Sequence, residues 1–159
     1  MRWLKNWWPA TLWAILISSF STETFTTENT SRIIIPALRW LLPSASPETL
    51  ALIHYVIRKS AHFAEYFIFS LLLLRGFRAG NRAYGLRLAL TIILMVAGYA
   101  ALDEFHQLFV PGRGAAVSDV LLDTTGGATA QLIVAVVMFW HGGQGKRESR
   151  ATRTEANLS

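Results

Sequence analysis

No cysteine occurs in the 159 residues. Disulfides, thiolate-bound metals and a cysteine nucleophile are therefore excluded. Charge is scarce as well: 16% of residues are Asp, Glu, Lys or Arg, where an average soluble domain has roughly 25%. A soluble enzyme of this length needs a polar surface that so few charges cannot supply. The nucleophile elbow GxSxG, the phosphate-binding P-loop and the dinucleotide fingerprint GxGxxG are all absent, and no internal repeat divides the chain. Apolar surface is what the sequence has in quantity. Hydrophobic residues make up 52% and aromatics 12%, including six tryptophans, and mean hydropathy is +0.34. That balance excludes a disordered chain, a coiled coil and a collagen-like fibre. The net charge of +5 does not indicate nucleic acid, because the basic residues sit between apolar runs instead of along one face. In a hydrophobic chain that spacing orients membrane segments.

The runs predict an all-α integral membrane bundle of four transmembrane helices, at about residues 4–20, 50–74, 86–108 and 117–140. A helix needs about 20 apolar residues to cross a bilayer, so the first run is near the lower limit. A cleaved signal peptide is its rival reading, on a basic start and the sequence Ser19-Phe20-Ser21. The aromatic bulk of Trp3, Trp7, Trp8 and Trp13 and the spans that follow favour an uncleaved helix. Residues 32–43 hold a central proline and are too short to cross, so they read as an interfacial or re-entrant helix. Residues 1–141 thus form one transmembrane domain, and 142–159 a flexible cytoplasmic tail.

Lys and Arg gather on the cytoplasmic side of membrane proteins. With the N-terminus inside, Arg2, Lys5, Arg75, Arg78, Arg82, Arg87, Lys146, Arg147, Arg150 and Arg153 fall inside, ten of the fifteen. Arg32, Arg39, Arg58, Lys59 and Arg113 fall outside. Both termini are therefore expected in the cytoplasm. In this topology the polar start of span two, the polar end of span three and the polar start of span four share the outer side. Lys59, His62, Glu65, Asp103, Glu104, Gln107, Arg113, Asp119 and Asp123 are expected to converge there, with Ser18 and Ser19 of span one at the same level. Each ionisable group at membrane depth costs a few kcal/mol, of order 2.5–3.5 on insertion scales, unless paired or hydrated. A cluster drawn from three helices is for that reason a functional-site candidate.

Lys59, His62 and Tyr66 recur at i, i+3 and i+7, one face of a helix, with Glu65 beside His62. Asp103 and Gln107 stack at i, i+4, as do Asp119 and Asp123, and Gly126 and Gly127 below them admit a close neighbour helix. Arg113 sits in the turn Pro111-Gly112-Arg113-Gly114, where its planar fork can grip a phosphate. The structural alternative is that these charges only pair to hold helices in register. Arg58 reads as a snorkelling residue, and His141 and the tryptophans at span ends as interfacial anchors. His62, Glu65, Asp103, His106, Asp119 and Asp123 offer metal ligands, but without a diagnostic spacing, so charge pairing is favoured over a metal.

These residues resemble the VanZ-like membrane protein family. The resemblance rests on RKSAHFAEYFIFSLLL at Arg58 to Leu73 and DEFHQLFVPGRGAAVSDVLLDTTGGATAQL at Asp103 to Leu132. The family pattern Lys-x-x-His-x-x-x-Tyr, Asp-Glu-x-x-Gln, Pro-Gly-Arg and Asp-x-x-x-Asn/Asp-x-x-Gly falls on Lys59, His62, Tyr66, Asp103, Glu104, Gln107, Pro111, Gly112, Arg113, Asp119, Asp123 and Gly126. Ser18 and Ser19 resemble the Ser pair that ends the family's first span. The resemblance covers nearly the whole membrane portion and implies a link to resistance against teicoplanin, a lipid-bearing glycopeptide. It implies no defined activity.

The expected function is binding or modification of an anionic envelope lipid or lipid-linked ligand at the outer ends of the helices. Lys59 and Arg113 would meet the head group; Tyr66 and Gln107 would line the site with the acids, and His62, Asp103 and Glu104 are the candidates for proton chemistry. A hydrolase or transferase acting on a lipid-linked envelope precursor is the second reading, and a structural partner of another membrane protein the third. No cofactor is expected, the bacterial cytoplasmic membrane is the expected location, and oligomerisation is left open.

Overall fold

The computed structural model describes residues 2–21, 27–79, 83–110 and 116–156, with side chains from 4 to 21, 29 to 79, 83 to 110 and 116 to 141. Five helices follow one another: α1 (Arg2–Phe20), α2 (Thr27–Leu41), α3 (Pro47–Arg78), α4 (Leu86–Gln107) and α5 (Val117–Ala156). No strand is found among the described residues. The fold is all-α, as expected from the sequence.

Local chemistry sets the helix ends. Ser46 caps α3, its Oγ accepting the Thr49 N–H, with Pro47 in the first turn, where its missing N–H costs nothing, and Glu48 beside it. α4 starts after Gly85. α2 begins earlier than the expected segment at 32 and keeps Pro36 inside, at the cost of one backbone hydrogen bond. α5 continues beyond the expected end of the fourth span, through most of the segment expected as a flexible tail, to Ala156. Arg, Glu and Ala favour helix there, and extending an existing helix avoids the nucleation cost.

α3 is the central element. It packs against α1, α2, α4 and most extensively α5, and α4 also packs on α5. The core joins Ala10 and Ile17 of α1, Tyr66, Phe69, Leu73 and Leu74 of α3, and Leu88, Ile92, Val96 and Ala100 of α4. Small residues bring the helices close. A Cβ on Gly126 would lie 2.5 Å from the Phe63 carbonyl oxygen, one on Gly127 2.7 Å from Val96 Cγ1, and one on Gly76 2.9 Å from the Trp7 ring. Trp7 therefore packs on Gly76 and edge-on to Phe77, with centroids 4.9 Å apart. Across α3 and α5, Ser70 Oγ donates to the Gly127 carbonyl at 2.9 Å, and Gln131 Nε2 donates to Ser70 Oγ at 2.8 Å.

Among the described residues, two helical stretches are long and apolar enough to cross a membrane, Leu86–Gln107 and Val117–His141. They coincide with the third and fourth expected spans. α1 and α3 fall short of that apolarity. α3 loses it through Arg58, Lys59, His62 and Glu65, side chains that a helix surrounded by others can carry without facing lipid. α1 loses it through Lys5, Asn6 and its indole-rich first half.

Candidate functional site

The site grows out of the core stripes. On α4 the buried face runs Leu88, Ile92, Val96, Ala100 and then Asp103, Glu104 and Gln107. One helix face thus turns from apolar to polar a single turn beyond Ala100. On α3 the buried face from Leu74 back to Tyr66 continues toward the N-terminus as His62 and Lys59, both half-buried. On α5 the buried positions Ala130, Gly127, Gly126 and Asp123 lead up to Asp119. Three helices therefore bring their polar ends together, with the end of α1 beside them.

Asp103 is 6% exposed and holds this junction. Its Oδ2 accepts from Ser21 Oγ at 2.6 Å and from Gln107 Nε2 at 3.1 Å, and Gln107 Nε2 also reaches Ser21 Oγ at 3.3 Å. Glu104 Oε2 accepts the Ala116 N–H at 2.8 Å, placing a carboxylate just ahead of α5, where the helix dipole favours it. Lys59 forms an ion pair with Asp119, about a quarter exposed on each side, and its ammonium lies 5.4 Å from the Tyr55 ring centroid. His62 Nδ1 lies 3.9 Å from Glu65 Oε2 and 4.0 Å from Asp123 Oδ1, too far for direct hydrogen bonds. Tyr66 is fully buried, its ring edge-on to Phe69 and tilted against Tyr99. Its hydroxyl, like Asp123 Oδ1, has no hydrogen-bond partner among the described residues.

Eight of the nine expected groups are thus brought to one end of the bundle. The ninth, Arg113, lies outside the described residues, as do Pro111 and Gly112. Ser18 and Ser19 are not in the junction. Ser18 Oγ pairs with the Tyr99 hydroxyl at 2.7 Å, and exposed Ser19 donates to the Ile15 carbonyl at 2.8 Å. Ser21 holds their expected place, and the signal for it was periodicity. Ala10, Ile17 and Ser21 are spaced seven and four, the buried face of α1. His106 is exposed, and among the described residues no three His, Asp or Glu side chains are placed to hold a metal ion.

Arg58 departs from its snorkelling expectation. Half-buried, its Nη1 donates to Thr30 Oγ1 of α2 at 3.0 Å, and Thr30 also meets His54 Nε2 at 3.3 Å. Arg58 lines a cavity of about 230 Å³ between the end of α1, α2 and α3. Its lining combines apolar Phe20, Ile34, Ile57 and Ala61 with polar Thr30, Arg58, His62 and Glu65. His62 and Glu65 belong to both the cavity and the carboxylate cluster. Lys59, expected to meet a head group, is held by Asp119 instead, so Arg58 is the cation on the cavity wall. α2 was the element least legible from the sequence, and it is the one that closes this cavity.

Comparison with curated proteins and with solved structures finds no match. The family model described as VanZ/LLP1 matches residues 5–139, which reach all five described helices and take in every described residue of the cluster. The chain belongs to the VanZ/LLP1 family.

Proposed function

We propose that the protein is a four-span protein of the bacterial cytoplasmic membrane, with both termini in the cytoplasm, that binds an anionic or lipid-linked envelope ligand at the outer ends of its helices. The outward faces support membrane embedding. Leu4, Trp8, Leu12 and Ile15 of α1 and Leu86, Leu90, Leu94 and Leu102 of α4 are all exposed, and Leu132, Ile133, Val136, Val137, Phe139 and Trp140 expose apolar surface around α5. A soluble monomer rarely shows apolar patches larger than a few hundred Å². No charged side chain occurs from Leu88 to Leu102 or from Thr124 to Trp140. At 1.5 Å per residue each run covers about 21–24 Å, most of a hydrocarbon core.

The observation that carries the ligand reading is the cavity whose lining residues His62 and Glu65 also belong to the cluster. A lining that combines apolar residues with Arg58 and His62 fits an amphiphile, with its chain on Phe20 and Ile34 and its head group at Arg58. The volume suits a head group and the first carbons of a chain better than a whole lipid. Teicoplanin carries a lipid chain and is met outside the cell, which is consistent with a ligand of this kind. The flanking of His62 by Glu65 and Asp123 favours a second reading, an acid–base enzyme acting on such a ligand, because imidazole and carboxylate groups are the usual carriers of protons in general acid–base catalysis.

Lipids co-purified with the chain test the binding reading. Arg58→Gln and His62→Ala are expected to leave folded yield near that of the parent, since neither side chain is fully buried, while removing an anionic or lipid-linked species from the organic extract. Folded variants that retain the same lipids as the parent would exclude this cavity as the binding site.

A further inference from the structure

The end of the bundle opposite the carboxylate cluster has the reverse charge. No Asp or Glu occurs between Tyr66 and Leu102, whereas Arg75, Arg78, Arg82 and Arg87 do. Arg78 lies sixteen residues from His62 along α3, and Arg87 sixteen from Asp103 along α4, about 24 Å of helix in each case. The two charged layers are thus separated by somewhat less than a hydrocarbon core of about 30 Å. Arg75, Arg78 and Arg87 are exposed, and none makes an ion pair among the described residues.

These arginines stand over clefts. One of about 540 Å³ at the end of α3 is lined by Leu71, Leu74, Arg75, Arg78 and Ala79. The other, about 670 Å³ at the start of α4, places Arg87 and Thr91 beside Leu86 and Leu88. Each joins a cation to leucine side chains that continue into the apolar band. Arg75 and Arg78, three apart, share one helix face. A snorkelling arginine needs only water above it. Two guanidinium groups lining an apolar cleft, with no acid in the sequence between Tyr66 and Leu102, offer a phosphate two forked donors and its glycerol and first methylenes a leucine floor.

We infer that this end of the bundle is a head-group site for an anionic glycerophospholipid, with Arg75 and Arg78 holding the phosphate and Arg87 giving the α4 cleft the same charge. The leucines distinguish this ligand from free phosphate, which gains nothing from an apolar floor. The site is separate from the proposed ligand cavity and does not depend on it.

Native mass spectrometry of the full chain, titrated with phosphatidylglycerol or phosphatidylcholine, tests the assignment. The parent is expected to bind phosphatidylglycerol in preference. Arg75→Gln/Arg78→Gln is expected to lower that affinity roughly thirtyfold, as two cations near an anionic head group imply, with phosphatidylcholine binding unchanged. Arg87→Gln, a single exposed change on the neighbouring helix, is expected to lower it roughly fivefold, and provides the reading if the double variant does not fold. Arg58→Gln, in the other cavity, should leave this affinity in place. Equal binding of the two lipids by the parent, or an unchanged preference in the folded arginine variants, overturns the assignment. So does displacement of phosphatidylglycerol by millimolar inorganic phosphate, which would mark a free-anion site.

Discussion

Gly126→Leu is expected to abolish recovery of folded protein. Even the first side-chain atom at this position would sit 2.5 Å from the Phe63 carbonyl oxygen, and that oxygen belongs to the backbone of α3, so it cannot swing aside. α5 must move off α3 to admit the leucine. Overpacking of a close-packed interior costs roughly 1–3 kcal/mol, occasionally more. The displacement also breaks the Ser70–Gly127 and Gln131–Ser70 hydrogen bonds, leaving buried polar groups stranded at roughly 1–3 kcal/mol each. The sum is comparable to the 5–15 kcal/mol by which proteins are typically stable. Gly98→Leu provides the control, since a Cβ there meets nothing within 4 Å. Size-exclusion recovery and a thermal melt of both variants in detergent check the expectation. A Gly126→Leu chain that elutes and melts like the Gly98→Leu chain would contradict the close α3–α5 contact.

Breaking the Lys59–Asp119 pair is expected to have the next largest effect. Lys59→Met leaves Asp119 beside Glu104 and Asp123, acids with which it already interacts electrostatically, with its cation gone. Removing one partner of a fully buried pair costs roughly 3–5 kcal/mol. This pair is about a quarter exposed, so a loss of about 1–3 kcal/mol is expected after screening by solvent. Replacing both partners removes the stranded charge as well. Lys59→Met/Asp119→Leu should therefore recover to within about 1 kcal/mol of the parent. A double-mutant cycle on unfolding measures the coupling directly. Strictly additive losses would mean that Lys59 and Asp119 do not act as a pair.

The helical architecture and most of the site were legible because they rest on spacing. Lys59, His62 and Tyr66 share a face whatever packs against it, and the apolar stripe of α4 leads straight to Asp103 and Gln107 by repeats of three and four. Partner choice was less legible, because it depends on how the helices are rotated about their axes. Lys59 was expected to face a head group and is held by Asp119; Arg58 was expected to reach for water and donates to Thr30. Ser18 and Ser19 stand out in the sequence as a pair, but the buried face of α1 passes through Ile17 and Ser21 instead. The cavity was hidden for the same reason. α2 contributes two of its lining residues, Thr30 and Ile34, and nothing in residues 32–43 alone says which face of α3 that helix covers.

Whether the carboxylate cluster faces out of the cell decides the account, because a ligand of the envelope can reach it only there. Reporter fusions at Asn81, at Gly114 and after His141 measure this directly. The four-span arrangement requires a cytoplasmic reading at Asn81 and after His141, where the arginine end and the long α5 helix emerge, and an external reading at Gly114, between Glu104 and Asp119. An external reading at Asn81 with a cytoplasmic one at Gly114 would turn the bundle over, put His62 and its acids on the cytoplasmic side, and contradict the proposed function.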